Sequence, residues 1–322
     1  MNQSTLSLPS FAKINWSLQI LGKRRDGYHE VRTLLQTISL HDDIQFDLSS
    51  DRAISLSCDQ PNIPTDNENL IVRAAGALKQ RYGVEQGARI RLEKRIPTKA
   101  GLGGASSNAA VSLLALAHLW DVKTSAHVLL EIAADLGADV PFFLLGGRAL
   151  ATGTGATVSS PVISDNEVKH LIVITPNAGV STAKAYAALR SPSLTTTVTD
   201  PILSSSRNGT NSRNSQPWPL HGEWKNDLRD DFKNDFESVI FDIEPEIRRT
   251  KDTLLQAGAL GALLAGSGSS VFGIFADRED QQRAVHEIKL DAGWRIFPCV
   301  TVSRNEYLHA LGSVGYSILT LF

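Results

Sequence analysis

The 322-residue chain is short of the residues that build redox frameworks and metal clusters. Its two cysteines, Cys58 and Cys299, stand far apart with no Cys-x-x-Cys pair. That excludes a disulfide scaffold or a structural zinc site, fits a reducing cytoplasm, and leaves both as small buried apolar residues. The eight histidines show no His-Glu-x-x-His spacing, so no metalloprotease-type site is present. No apolar run approaches the ~20 residues that span a bilayer, and Met1–Ser10 lacks the basic-then-apolar order of a targeting signal. Nor is there a basic excess: 32 basic residues face 34 acidic ones, for a net charge of -2. Nucleic acid and anionic membrane are therefore set aside as main partners.

What is present is the balance of a globular protein, 42% hydrophobic and 20% charged, with length enough for two domains. Ala12–Ile20 alternates as a strand, with Ala12, Ile14, Trp16, Leu18 and Ile20 on one face. Lys13, Asn15, Ser17 and Gln19 take the other, pointing away from the core. Asp26-Gly27 signals a turn before a second strand through Val31–Leu40. A strand over Ala88–Ile96 stops at Pro97, a glycine-rich stretch follows, and Ser106/Ser107 open a helix over Asn108–Trp120 that is apolar nearly all round. A second helix starts at a Ser125 cap and ends at Gly137. After Gly155, strands at Leu171–Thr175, Ala262–Leu264, Val271–Phe275 and Ile296–Val302 interleave with helices near Thr182–Leu189, Glu246–Gln256 and Asp280–Leu290. That interleaving predicts an α+β second domain. Ser191–Gly222 is rich in Ser, Thr, Asn and Pro and reads as a surface loop. The charged run Asn226–Glu237 reads as a solvated helix face, and Trp16, Trp120 and Trp294 read as packing residues.

The chemistry concentrates in Pro97-Thr98-Lys99-Ala100-Gly101-Leu102-Gly103-Gly104-Ala105-Ser106-Ser107-Asn108. A strand, a loop poor in side chains and a helix N-terminus together make an anion site. The glycines admit phosphate oxygens close to the main chain, and the helix dipole favours negative charge there. Ser106 and Ser107 can cap the helix and offer hydroxyls to phosphate or Mg²⁺. Gly-x-x-x-x-Gly-Lys-[Ser/Thr] is absent, and Ser106 stands where a dinucleotide fingerprint has its third glycine. A plain strand–helix turn stays open on these residues alone.

The motif Pro-x-x-x-Gly-Leu-Gly-Gly-x-Ser-Ser-Asn-Ala-Ala resembles the phosphate-binding motif of the GHMP kinase superfamily. Within it the likeness is closest to the 4-diphosphocytidyl-2-C-methyl-D-erythritol kinases of the non-mevalonate isoprenoid pathway. Ser10-Phe11-Ala12-Lys13-Ile14-Asn15, Arg25-Asp26-Gly27-Tyr28-His29, Asp66-x-x-Asn69-Leu70-Ile71, Leu136-Gly137-Ala138-Asp139-Val140-Pro141 and Gly266-Ser267-Gly268-Ser269 follow in the order of that family. The resemblance spans roughly 9–275 apart from the 191–222 loop. It implies a two-domain α+β fold: a ribosomal-protein-S5-domain-2-like domain over 1–160 and a ferredoxin-like domain over 161–322, with the active site between them. It also implies ATP as co-substrate with Mg²⁺, and transfer of the γ-phosphoryl to the 2-hydroxyl of a cytidine diphosphate derivative.

By the same resemblance Asp139 is the catalytic base and Lys13 the cation that steadies the reacting hydroxyl and the passing phosphoryl group. Pro97, Gly101, Leu102, Gly103, Gly104, Ala105, Ser106, Ser107 and Asn108 form the ATP-phosphate loop. Asn69, Leu70 and Lys94 frame the adenine, largely through main-chain groups. Asn15, Tyr28, His29, Tyr186, Gly266, Ser267 and Gly268 take the substrate, with Tyr28 and His29 at the cytosine. No side chain is assigned to the metal beyond Ser107 as the single candidate. Lys99-Ala100 and Ala105 depart from the glycines frequent in the family, which bears on affinity for ATP rather than on reaction type. Homoserine, mevalonate-type or sugar kinases, and a non-catalytic nucleotide-binding module, share the loop. The Ala-Lys-Ile-Asn and Gly-Tyr-His stretches argue for the cytidine substrate.

Overall fold

The structure, a computed structural model, describes residues 5–159, 167–189 and 232–319. A long hairpin organises it. β1 (Thr5–Lys23) and β2 (His29–Ser49) pair antiparallel along most of their length, and the Arg24 N–H donates to the Tyr28 carbonyl at 2.7 Å across the predicted Asp26-Gly27 turn. Both strands outrun their predicted bounds. Irregularities at Phe11/Ala12, Asn15/Ser17 and Ile20/Gly22 bend the ribbon, so it passes from one core to the next instead of ending.

β3 (Ile54–Cys58), β4 (Gly87–Glu93), β5 (Arg148–Gly153) and β6 (Thr157–Ser159) complete a sheet ordered β3-β4-β2-β5-β6, with β1 on β2 and only β3–β4 parallel. Four helices belong to this half: α1 (Leu70–Tyr82), α2 (Gly104–Leu119), α3 (Ala126–Leu136) and α4 (Val140–Leu145). They join β1, β2 and β4 in the first core. α2 is the buried helix its composition predicts, with Leu113, Leu114 and Leu116 fully enclosed at about 1.5–3 kcal/mol of burial each. α3 has the predicted Ser125 cap, whose hydroxyl accepts from Val128 N–H at 3.4 Å.

The second sheet holds β7 (His170–Thr175), β8 (Gly261–Leu264), β9 (Val271–Phe275) and β10 (Arg295–Val300). Its antiparallel order, β10-β7-β9-β8, is that of a ferredoxin-like β-α-β-β-α-β unit. Against one face, in the third core, pack residues of α5 (Thr182–Ala188), α6 (Glu237–Ile243), α7 (Pro245–Gln256) and α8 (Arg278–Glu287). The other face meets β1 and β2 directly: Ala12, Ile14, Trp16, Leu34 and Ile38 pack with Leu171, Val173, Leu263, Phe272 and Ile274. The apolar face of Ala12–Trp16 thus seals the two halves together.

Two expectations need correction. α9 (Arg304–Ala310) and α10 (Gly312–Leu319) follow β10, and Val302, Tyr307, Leu308, Leu311 and Val314 return to the first core, although the 161–322 boundary assigned them to the second half. Tyr307 is wholly buried and its hydroxyl donates to the Phe143 carbonyl at 2.5 Å; chain order alone carries no sign of such a return. The run Asn226–Glu237 is described only from Phe232 on, and there Asn234 and Phe236 are buried rather than solvated. The predicted loop at 191–222 lies outside the described residues.

Candidate active site

The phosphate loop hangs between a buried carboxylate and the second sheet. Asp42, fully buried on β2, accepts from the main-chain N–H of Arg95 at 2.8 Å and of Ile96 at 2.7 Å, and from the Lys94 ammonium at 2.8 and 3.1 Å. Pro97 follows at once, so the loop leaves from a fixed point. Lys99 takes φ +54°, a left-handed conformation that favours glycine and costs any side chain. Gly101 sits so tightly against the second domain that a Cβ there would lie 1.9 Å from the Ala265 carbonyl oxygen. The loop is tied down on both sides of it, by Ser270 N–H to Ala100 O at 3.1 Å and by Lys13 N–H to Leu102 O at 2.9 Å.

The expected serine cap is not what starts the helix. Gly103, at φ +71°, is the N-cap of α2 and has no side-chain cap, so Ser106 and Ser107 fall inside the first turn. The first helical bond is Ser107 N–H to Gly103 O at 2.9 Å, and the amides of Gly104, Ala105 and Ser106 ahead of it have no intrahelical acceptor. An uncapped turn of this kind is an anion site. Ser107 and Asn108 are buried and committed to β1: the Ser10 hydroxyl lies 2.8 Å from Ser107 Oγ and 2.6 Å from Asn108 Oδ1.

On the polar face of β1, Lys13 and Asn15 are buried at 3% and 2% exposure instead of facing water, because that face is covered as well. Lys13 Nζ donates to Asn15 Oδ1 at 2.9 Å and stands 3.6 Å from Asp139 Oδ2. Asp139 caps α4 without a side-chain cap bond, and its carboxylate is 39% exposed while the lysine side chain is 4% exposed. The ammonium is thus held in the interior while the carboxylate is open to solvent. Asn15 also accepts from Gly266 N–H at 3.0 Å and donates to Thr33 Oγ1 at 2.7 Å. That brings the Gly266-Ser267-Gly268 loop to the same spot, with Ser267 Oγ 3.0 Å from Thr182 Oγ1.

At the other end, His29 and Tyr186 stack, ring centroids 4.7 Å apart at 23°, and Phe236 meets Tyr186 edge-on at 4.9 Å. Burial pushes the Tyr186 phenol up to about 12, with the Asp139 charge adding to it, so it stays neutral. Burial, with Lys23 nearby, lowers His29 and keeps its imidazole neutral at pH 7. Tyr28 is mostly exposed at the hairpin tip.

The three adenine candidates are engaged locally. Asn69 is the N-cap of α1, its Oδ1 accepting from Ile71 N–H at 2.9 Å and its Nδ2 donating to Pro64 O at 2.7 Å. Leu70 is the first residue of that helix. Lys94 has its N–H on Asp59 Oδ1 at 2.9 Å, and its carbonyl receives Gln60 Nε2 at 2.8 Å with one lone pair to spare. Burial lowers its ammonium, and Asp42 holds the charge in place.

Among the described residues no group of three or more His, Cys, Asp or Glu could hold a metal ion. The Ser107 hydroxyl is already engaged with Ser10. These side chains form no metal cage.

Comparison with known proteins decides the family. The GHMP kinases N terminal domain matches residues 69–147 and the GHMP kinases C terminal domain matches 217–291. The 4-diphosphocytidyl-2-C-methyl-D-erythritol kinase of Pelotomaculum thermopropionicum is 40% identical over 276 residues, 84% of this chain and 90% of that protein. The chain belongs to the GHMP kinase family, among the 4-diphosphocytidyl-2-C-methyl-D-erythritol kinases. A crystal structure of 4-(cytidine 5'-diphospho)-2C-methyl-D-erythritol kinase superposes with a TM-score of 0.70 at 31% identity, covering 92% of this chain and 99% of that one. Homoserine kinase from Cytophaga hutchinsonii, with a TM-score of 0.67, covers 94% and 96% of the two chains at 19% identity and so shares the fold alone.

In this GHMP kinase, sequence reasoning missed Asp42 and Asn234. The signal for Asp42 is His41-Asp42-Asp43 followed by Ile44, an acidic pair inside what is one continuous strand. Asn234 had no such signal, since it sits among charged residues that look solvated.

Proposed function

We propose that this chain transfers the γ-phosphoryl of ATP to the 2-hydroxyl of 4-diphosphocytidyl-2-C-methyl-D-erythritol, in isoprenoid precursor biosynthesis. The observation that carries the reading is the 3.6 Å approach of Lys13 to Asp139, from opposite ends of the first half, beside an uncapped helix N-terminus. Phosphoryl transfer asks for positioning and charge stabilisation more than covalent chemistry, and that is what these groups offer.

The amides of Gly104, Ala105 and Ser106 receive phosphate oxygens, and the α2 dipole offsets their charge. Asn69 and Leu70, the N-cap and first residue of α1, line the adenine end. The acceptor's cytosine lies among Tyr28, His29 and Tyr186, whose rings present aromatic faces and an imidazole hydrogen-bonding edge. Its 2-hydroxyl meets Asp139, which accepts the proton as the new P–O bond forms and ADP leaves. Lys13 faces the charge on the transferring group, and Asn15 fixes the direction of the ammonium. Bound with the ATP phosphates, Mg²⁺ would supply charge neutralisation there, and among the described residues no side chain beyond the Ser107 hydroxyl is a candidate to hold it.

The test is an acceptor screen with ATP, reading ADP release and the phosphorylated product by mass. 4-Diphosphocytidyl-2-C-methyl-D-erythritol should turn over, while homoserine, mevalonate and galactose should not. Turnover of one of those three in its place would overturn the acceptor assignment, and ATP binding without turnover of any would overturn the enzyme.

A further inference from the structure

The Lys13–Asn15 pair is held from the second domain through one peptide unit. Gly266 donates its N–H to Asn15 Oδ1 at 3.0 Å, the same oxygen that receives the Lys13 ammonium at 2.9 Å. On the far side of that residue, the Gly266 carbonyl accepts from Asn234 Nδ2 at 2.7 Å, and the same amide donates to the Leu264 carbonyl at 2.8 Å. Asn234 Oδ1 accepts from Phe236 N–H at 3.0 Å, so the side chain, 3% exposed, has both its donor and its acceptor engaged. Its own backbone is fixed to the strand that carries Lys13. Leu18 N–H donates to Lys233 O at 2.7 Å, Asp235 N–H donates to Leu18 O at 2.9 Å, and Leu18 and Asn234 form a parallel bridge. Glu237 completes the brace by accepting from Leu264 N–H at 2.9 Å while paired with Lys251 at 2.7 Å.

We infer that Asn234 is a positioning residue for phosphoryl transfer, locking the 264–266 segment so that Gly266 holds Asn15 and Asn15 aims the Lys13 ammonium. A buried amide that spans two carbonyls of one loop constrains its path more than a packing residue does. The loop it holds lies against both the lysine and the phosphate loop: Ala265 is the residue whose carbonyl oxygen a Cβ at Gly101 would strike. Removing the amide donors leaves two buried carbonyls unpaired and frees the loop, and the loss appears where geometry matters most, in turnover.

The inference rests on the proposed kinase reaction, and the tests keep the two apart. Asn234→Asp, of nearly the same shape without the two donors, should lower kcat by ~10- to 100-fold per folded molecule. Its KM for ATP should stay within about threefold, because the loss falls on the transition state rather than on nucleotide binding. Leu254→Ala, a core change elsewhere in the second domain, controls for stability and should leave kcat per folded molecule unchanged. Should Asn234→Asp fail to fold, Asn234→Ser, which keeps one donor, replaces it with the same expectation. In a cycle with Asn15→Ala, the double variant should be no slower than the worse single variant, since both residues act through Gly266. Unchanged kcat in the Asn234 variant, or fully additive losses in the cycle, would overturn the inference. Amide hydrogen exchange gives an arm independent of activity: exchange at 264–268 should speed up in the Asn234 variant, and unchanged exchange there would likewise overturn it. A parent protein that is inert toward the acceptor would instead sink the kinase reading.

Discussion

Replacing Asp139 by Asn isolates the proton acceptor from everything else in the site. The carboxylate makes no cap bond to α4, so the amide takes nothing from the helix. Its ion pair with Lys13 is 39% exposed on the acid side, which limits its contribution to stability to under about 1 kcal/mol after solvent screening. Lys13 keeps its bond to Asn15 at 2.9 Å and is not left bare. The phosphate loop does not touch Asp139 through any bond described above, so ATP binding should persist. What is lost is general-base assistance, which contributes ~10²–10⁴-fold, or about 2.7–5.5 kcal/mol of barrier. The assay is steady-state ADP release at saturating acceptor with ATP varied, alongside a thermal melt. The expected result is a kcat lower by two to four orders of magnitude, by that estimate, with KM for ATP and the melting temperature nearly unchanged. A kcat within a few-fold of the parent would refute the role of Asp139, and a large fall in melting temperature would refute the claim that it is structurally idle.

Four further outcomes follow from the geometry. Gly101→Ala forces a methyl toward the Ala265 carbonyl and should cost about 1–3 kcal/mol in a denaturant melt while raising KM for ATP. Lys99→Gly relieves a left-handed lysine and should stabilise by about 1 kcal/mol, read as a rise of a few degrees in Tm. Tyr186→Ala removes the His29 stack and the Phe236 contact, and should raise KM for the cytidine acceptor by about 3- to 10-fold, with KM for ATP unaffected, in line with 0.5–1.5 kcal/mol for an aromatic pair. His29 has its folded value lowered by burial, so the stability that comes from its neutral form is present above the unfolded value near 6.5 and is lost as pH falls through the folded value. His29→Gln should therefore make the decline in Tm below about pH 6.5 shallower than in the parent, by the share that His29 contributes.

The parts of this architecture legible in the sequence are those where periodicity and chemistry agree. The alternation from Ala12 to Trp16 gave the right faces, since Ala12, Ile14 and Trp16 pack between the sheets while Lys13 and Asn15 share the opposite face and bond to each other. It did not reveal that the polar face is buried, because a strand covered on both sides by polar and apolar partners alternates just as a half-solvated one does. Gly101, Gly103 and Gly104 marked the loop by their lack of side chains, but the serines after them looked like caps and put the helix start at Asn108, when Gly103 is the cap and the helix begins at Gly104. α1 went unread although Ile71, Ala74, Ala75 and Leu78 line its buried face, because Asn69-Leu70 drew attention as a ligand contact when Asn69 is the helix cap. Asp42 and Asn234 stayed hidden for a different reason. Each is a polar residue with partners 30 or more positions away in the chain, at Lys94–Ile96 and at Leu264–Gly266, and no local pattern encodes such a pairing.

A crystal structure with a non-hydrolysable ATP analogue and 4-diphosphocytidyl-2-C-methyl-D-erythritol bound would test the arrangement most directly. The γ-phosphate should lie over the amides of Gly104–Ser106 and the acceptor's 2-hydroxyl within hydrogen-bond reach of Asp139, with the Lys13 ammonium beside both. A 2-hydroxyl beyond the reach of Asp139, or a triphosphate seated away from the N-terminus of α2, would contradict it.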